Sequence, residues 1–119
     1  MKKTLVLGAS LKSHRYSNLA IKSLADHDFK VEAIGLKEGD VSGIHVQTGY
    51  PKLEDIHTVT LYMNSERQKK YYEYILSLKP KRVVFNPGTA NPELKEILDE
   101  NNIHYELDCT LVMLSSKRY

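Results

Sequence analysis

The residues best suited to chemistry lie in a polar and basic loop just after the first apolar segment. Residues 5–7 are apolar, Gly8-Ala9-Ser10 follows them, then Lys12 and Arg15, and a helical pattern starts near Ser17. A buried strand that ends in glycine and leads into a helix brings backbone N–H groups and the positive end of the helix dipole to one point. Because such a point favours anions, the loop predicts a site for a phosphate-bearing small molecule.

A second distinctive loop, Asn86-Pro87-Gly88-Thr89, follows the apolar segment 82–85. Asn-Pro-Gly is also a good turn sequence, so taken alone this loop has an equally simple structural explanation. Its position after a strand, like that of Gly8, favours a part in the same site.

Short apolar segments alternate with helical patterns along the whole chain. Strands are predicted over 5–7, 30–36, 58–63, 82–85 and 104–107, with a further short extended piece near 44–46 left open. This alternation predicts a single α/β domain over residues 1–119, a Rossmann-like three-layer fold whose five-stranded, mostly parallel sheet has helices on both faces. The predicted strand order, 3-2-1-4-5, makes strands 1 and 4 neighbours, so the two loops should converge.

Two helix starts carry capping signals. Ser65 with Gln68 three residues later has the spacing of a capping box, which predicts a helix from 65 to the Lys79-Pro80 pair. Asn91 followed by Pro92 predicts a second start. The apolar segment 110–114 is left unassigned.

Composition excludes several classes of protein. At 119 residues with 41% hydrophobic and 27% charged residues, the chain has the profile of an ordinary globular domain, and its net charge of +2 does not favour nucleic acid. No apolar stretch approaches the ~20 residues of a membrane span, and no signal peptide is visible, so a cytoplasmic protein without a membrane partner is expected. The single cysteine and the spacing of the five histidines argue against a metal site.

The charge after the second predicted strand constrains the ligand. An NAD-binding protein is expected to carry a carboxylate there for the ribose hydroxyls, but this chain has Lys37. A cation suits a ligand whose ribose bears a phosphate, such as NADP or coenzyme A. The basic residues at the starts of strands 1 and 4 are instead expected to form a solvated face: Lys2, Lys3, Lys79, Lys81 and Arg82.

Taken together, these segments resemble a known family, the small stand-alone CoA-binding proteins, which are similar to the N-terminal CoA-binding domain of the succinyl-CoA synthetase α subunit. The resemblance extends over nearly the whole chain. It rests on the order of Val6-Leu7-Gly8-Ala9-Ser10, Arg15-Tyr16-Ser17-Asn18, Lys37, Gly43, Tyr50–Ile56, Asn86-Pro87-Gly88-Thr89 and Asp108-Cys109. The chain departs from the family pattern at Asn64, where many relatives carry arginine, and in having one glycine in its first loop.

The resemblance implies a role for each part of the site. Gly8, Ala9, Ser10 and Lys12 would surround the diphosphate of CoA or an acyl-CoA, near Arg15. Ser17 and Asn18 would present the helix terminus, and Lys37 would lie near the ribose phosphate. Met63, Asn64, Pro87, Gly88 and Thr89 would line the path of the pantetheine arm. Cys109 is interpreted either as an inert buried cysteine or as a thiol that meets the CoA thiol in a mixed disulfide.

No constellation for catalysis is evident. The chain contains no nucleophile elbow, no Gly-Lys-[Ser/Thr] phosphate loop and no Tyr-x-x-x-Lys pair. We therefore expect CoA binding without catalysis, as in a sensor or a subunit of a larger assembly. Two alternatives stay open: an NADP-binding small reductase or fragment, and a flavodoxin-like regulatory protein that binds FMN or phosphate through Ser10 and Thr89.

Overall fold

The computed structural model describes residues 2–119, in which helices cover both faces of a single sheet. The strands are β1 (Thr4–Ala9), β2 (Val31–Gly35), β3 (Gly39–Val41), β4 (Ile44–Gln47), β5 (Thr58–Leu61), β6 (Arg82–Phe85) and β7 (His104–Leu107). The helices are α1 (Tyr16–Asp26), α2 (Ser65–Gln68), α3 (Tyr72–Leu78), α4 (Pro92–Glu100) and α5 (Thr110–Ser115), with a 3-10 turn at Lys69–Tyr71. Within this described part, no helix has the length and apolar character needed to cross a membrane.

The sheet corrects the predicted strand count and order. It has seven strands in the order β3-β4-β2-β1-β5-β6-β7, all parallel except the β3–β4 hairpin. The predicted order, 3-2-1-4-5, was therefore wrong: residues 58–61 lie on the other side of β1, and β1 and β6 are not neighbours. The extended piece near 44–46 forms β4 and takes the place beside β2.

Burial explains why residues 58–61 lie in the middle of the sheet and residues 44–47 lie near its edge. All four residues of β5 are completely buried, Thr58 and Thr60 included. A short strand that is buried on both faces belongs in the middle of a parallel sheet, whereas the exposed side chain of His45 in β4 suits a position near the edge.

Two apolar layers cover the two faces of the sheet. Because side chains alternate along a strand, Leu5 and Leu7 of β1 pack with the α3–α4 side, and Val6 packs on the other side with α1. The unassigned segment 110–114 is part of α5, whose Met113 and Leu114 complete the second layer. The three-layer α/β prediction is confirmed.

Arg82 is buried at the sheet edge opposite the strands' carboxyl ends, and the prediction of a solvated side chain was wrong for this residue. It is only 7% exposed, and its guanidinium carbon lies 4.4 Å from the ring centre of Tyr119. Its Nε donates to Thr58 Oγ1 (3.1 Å), and Nη1 donates to Glu106 (3.3 Å) and to the main-chain oxygen of Tyr119 (2.9 Å). This cation therefore joins β5, β6, β7 and the last residue of the chain.

Arg82→Ala should lower the free energy of unfolding by about 2–3 kcal/mol, because it removes these hydrogen bonds and leaves buried partners unpaired. Urea denaturation followed by circular dichroism measures the change. Lys81→Ala, which alters the exposed neighbouring cation, should leave stability within about 0.5 kcal/mol. Equal effects of the two substitutions would contradict a structural role for Arg82.

Candidate functional site

An open cleft lies at the carboxyl ends of β2, β1, β5 and β6, with a volume of about 610 Å³. All the predicted site residues except Asn18 line it, so residues 8–10 and 87–89 share one cleft although β5 separates their strands. The lining also includes residues that the sequence analysis did not single out: Leu11, Tyr16, Gly35, Leu36, Tyr62, Arg67 and Tyr71.

Gly8 is required by the backbone around it. Its φ is +101°, and a Cβ at this position would lie 2.8 Å from the carbonyl carbon and 2.9 Å from the oxygen of Tyr62. The register of β1 with β2 shifts between Leu7 and Ala9, so Gly8 forms a β-bulge at the end of the strand. The surrounding backbone therefore explains why residue 8 is glycine, independently of any ligand.

Hydrogen bonds fix the loop after β1 against the start of α1. The Ser10 amide donates to Ser17 Oγ (3.1 Å), the Lys12 amide donates to Ser10 Oγ (3.1 Å), and Asn18 Nδ2 donates to the Ser10 carbonyl (2.9 Å). Asn18 therefore lies behind the loop and positions it. Arg15 occupies the N-cap without a side-chain capping bond, and no acidic residue lies in the first turn, so the helix terminus keeps its positive character.

Positive charge dominates the cleft. Lys12, Arg15, Lys37 and Arg67 line it, and the lining residues that the structure describes include no aspartate or glutamate. These cations come from the connectors after β1 and β2 and from α2, so they reach the cleft from several sides. Their summed field favours a ligand with several negative charges.

Arg67 lines the cleft from α2, which starts one residue earlier than predicted. Asn64 is the N-cap of α2, and its Oδ1 accepts a hydrogen bond from the Arg67 amide (2.9 Å). The predicted capping box of Ser65 and Gln68 was therefore wrong. Both Asn and Ser are good caps, and the two positions are adjacent, which makes the boundary hard to assign from sequence.

Gln68 joins the two connectors that follow β5 and β6. The side chain is completely buried, and its Nε2 donates to the carbonyls of Met63 and Thr89, both at 2.8 Å. Its Oε1 accepts from Asn91 Nδ2 (2.9 Å). One amide group thus links the walls of the cleft to the cap of α4.

Gln68→Met, which keeps the size of the side chain, should reduce the free energy of unfolding by about 1–3 kcal/mol because three buried groups lose their partner. Chemical denaturation tests this. The control is Gln47→Met, since Gln47 makes one long hydrogen bond of 3.4 Å to Glu32 and should respond by less than about 0.5 kcal/mol. A Gln68→Met protein as stable as this control would contradict the proposed link.

The Asn86–Thr89 loop is a hydrogen-bonded turn. The Thr89 amide donates to the Asn86 carbonyl (3.0 Å), Pro87 fixes the second position, and Gly88 adopts φ +86°, the pattern of a type II turn. The Asn86 side chain anchors it, since Nδ2 donates to the Leu61 carbonyl (2.8 Å) and Oδ1 accepts from the Thr110 amide (2.9 Å). The turn is therefore held rigidly beside the cleft.

Tyr62 lies at the cleft with its hydroxyl buried. No hydrogen-bond partner for that oxygen is found in the part of the chain that the structure describes, and burial raises the pKa of the phenol well above its usual value. Tyr62 therefore stays neutral at physiological pH. No local sequence signal distinguished it from the other tyrosines.

Cys109 lies outside the cleft. It is partly buried, and it lines a smaller depression of about 290 Å³ next to the cleft, with Pro87 and Gly88 common to both. Cys109 therefore lies at the carboxyl edge of the sheet, and both interpretations of its thiol stay predictions.

Comparisons with known proteins identify the family. A family model described as "CoA binding domain" matches residues 2–115. The chain is similar to the crystal structure of an uncharacterized protein, with 50% identity and a TM-score of 0.96, covering 100% of this chain and 98% of that one. A hypothetical protein from Pyrococcus horikoshii OT3 shares the fold at 24% identity and a TM-score of 0.86, covering 98% of this chain and 82% of that one.

A third solved structure, from Thermus thermophilus, shares the fold at 18% identity and a TM-score of 0.87, covering 99% of this chain and 90% of that one. None of the curated proteins matches the chain. The family match extends over nearly all of the chain and agrees with the cationic character of the cleft. The chain therefore belongs to the CoA binding domain family.

Proposed function

We propose that the protein binds coenzyme A or an acyl-CoA in the cleft at the carboxyl edge of the sheet, without a reaction of its own. The observation that carries the proposal is the cleft's charge: four cations and no carboxylate among its described lining residues, beside the start of α1. CoA carries a diphosphate and a ribose phosphate, so it matches such a surface at several points.

The order of the residues along the sheet edge suggests the direction of the ligand. Lys37 follows β2 at one end of the cleft and would face the ribose phosphate. The loop Ser10–Lys12, with Arg15 and the N–H groups at Ser17, would hold the diphosphate. The lining at Met63, Pro87 and Gly88 is uncharged, which suits the neutral pantetheine arm.

Arg67 is a further candidate for binding the ligand that the sequence analysis did not single out. It stands one helical turn beyond Asn64, the position at which many relatives carry arginine, and it lines the cleft. We infer that Arg67 supplies the guanidinium expected near position 64 and binds the diphosphate from the β5 side.

The cleft offers little for acid–base catalysis. Within the described residues, its lining holds no histidine, aspartate, glutamate or cysteine, and the buried hydroxyl of Tyr62 has a raised pKa. A general acid or base works best with a pKa near the operating pH, and histidine, cysteine and the carboxylates are the side chains most often tuned to that range. This composition supports binding without chemistry.

Isothermal titration calorimetry with CoA, acetyl-CoA, NADPH and FMN tests the proposal. We expect CoA or acetyl-CoA to bind with the highest affinity, and NADPH and FMN to bind at least tenfold more weakly. Tighter binding of NADPH would favour the reductase alternative. The absence of heat and of thermal stabilisation with millimolar CoA and acetyl-CoA would refute the proposal.

A further inference from the structure

Beside the cleft lies the second depression, here called the acyl depression, at the carboxyl ends of β6 and β7. Its volume of about 290 Å³ is roughly ten times the ~30 Å³ share of one water molecule in the liquid. Phe85, Ala90, Leu107 and Cys109 make most of its surface apolar. It meets the cleft at the Pro87-Gly88 turn, which borders both.

Along the carboxyl edge of the sheet, positive charge decreases from β2 towards β7. Three cations follow β1 and β2 and one, Arg67, follows β5, whereas the uncharged turn follows β6 and the apolar Leu107 ends β7. Adjacent strands lie about 4.8 Å apart, so the edge from β2 to β7 extends over roughly 19 Å. An acyl-CoA has the same order of parts: a polyanionic nucleotide, a neutral arm, then a thioester with its acyl group.

We propose that the acyl depression holds the acyl group of a short, uncharged acyl-CoA, so that the ligand of this protein is such a thioester in preference to free CoA. This inference rests on the proposed CoA site and names its ligand more closely. The thioester would lie at the Pro87-Gly88 turn, with the acyl chain directed toward Leu107 and Cys109.

The same surface disfavours an acyl group that ends in a carboxylate. Asp108 is the one charged residue among the described residues of the depression, and no cation lines it. Arg118 pairs with Asp108 at 2.8 Å and, with the Cys109 amide, lowers the pKa of that carboxyl, so Asp108 is ionised at neutral pH. A carboxylate placed there would lose its hydration in a largely apolar site whose lining offers no cation as a partner.

Calorimetry of the full chain with CoA, butyryl-CoA and succinyl-CoA tests the inference. Each buried methylene contributes about fourfold in affinity when fully transferred from water, so butyryl-CoA should bind about tenfold or more tightly than CoA. Succinyl-CoA should bind no more tightly than CoA. Equal affinities for CoA and butyryl-CoA would overturn the acyl assignment and leave the CoA site standing, whereas no binding of any of them would refute the CoA site itself.

Two substitutions locate the effect. Ala90→Phe fills the depression from an exposed position and should abolish the preference for butyryl-CoA while free CoA binds as before. Leu107→Ala should reduce the preference severalfold. Val112→Ala is the matched control, since Val112 is 50% exposed and Leu107 57%, but only Leu107 lines the depression. An undiminished preference in both Ala90→Phe and Leu107→Ala would overturn the inference.

Discussion

Gly8→Ala is expected to lower the free energy of unfolding by about 2–6 kcal/mol. Two costs add. A non-glycine residue at φ +101° costs about 1–3 kcal/mol, and a Cβ within 2.8 Å of the Tyr62 backbone forces β1 and β5 apart for about another 1–3 kcal/mol. Urea denaturation of both proteins measures the difference.

Gly43→Ala separates the two costs. Gly43 also has a positive φ, +80°, but a Cβ there would meet nothing within 4 Å. It should therefore show the backbone cost alone, about 1–2 kcal/mol. If Gly8→Ala were no more destabilising than Gly43→Ala, the close approach of the Tyr62 backbone would not be what requires glycine at position 8.

Lys37→Glu is expected to weaken CoA binding by roughly tenfold to hundredfold, because a negative charge replaces a positive one next to a phosphate that carries more than one charge. Binding of 3′-dephospho-CoA, which lacks that phosphate, should change by less than about threefold. Calorimetry at low and at physiological ionic strength gives both affinities, and the loss for CoA should shrink as salt rises, since Lys37 is exposed.

The control for this substitution has the same change in net charge. Lys81→Glu alters an exposed lysine at the start of β6, at the opposite edge of the sheet from the cleft, and should leave both affinities within about twofold. Equal losses for CoA and dephospho-CoA in Lys37→Glu would place the ribose phosphate away from Lys37. Such a result would reverse or displace the proposed direction of the ligand.

Local sequence patterns predicted which segments form helices and strands better than they predicted which strands are adjacent in the sheet. The α/β class, the positions of the main strands and the cap of α4 by Asn91 follow from apolar periodicity and from the Asn-Pro pair, and they are confirmed. Strand order was wrong because the hairpin of β3 and β4 is short and polar, so residues 44–47 gave a weak signal. The true place of β5 depends on burial of both faces, which no local pattern contains.

The same limit applies to the site. The loops at Gly8 and Gly88 could be singled out because strand–glycine–helix and Pro-Gly patterns are local, and they do line one cleft. The link made by Gln68 could not be predicted, and this residue was assigned to a capping box, because its partners Thr89 and Asn91 lie in the connector after β6. The burial of Arg82 depends on Thr58, Glu106 and Tyr119, which are all distant in sequence. The assignment of individual residues to parts of CoA stays a prediction.

The most direct test of the account is a CoA titration followed by ¹⁵N–¹H correlation NMR, which reports binding at each backbone amide. We predict that the largest shifts fall at Ser10, Lys12, Ser17, Lys37 and Gly88, with Gly43 and Ser115 unchanged. Shifts centred on a different surface, or none at millimolar CoA, would contradict the claim that this cationic cleft is the CoA site.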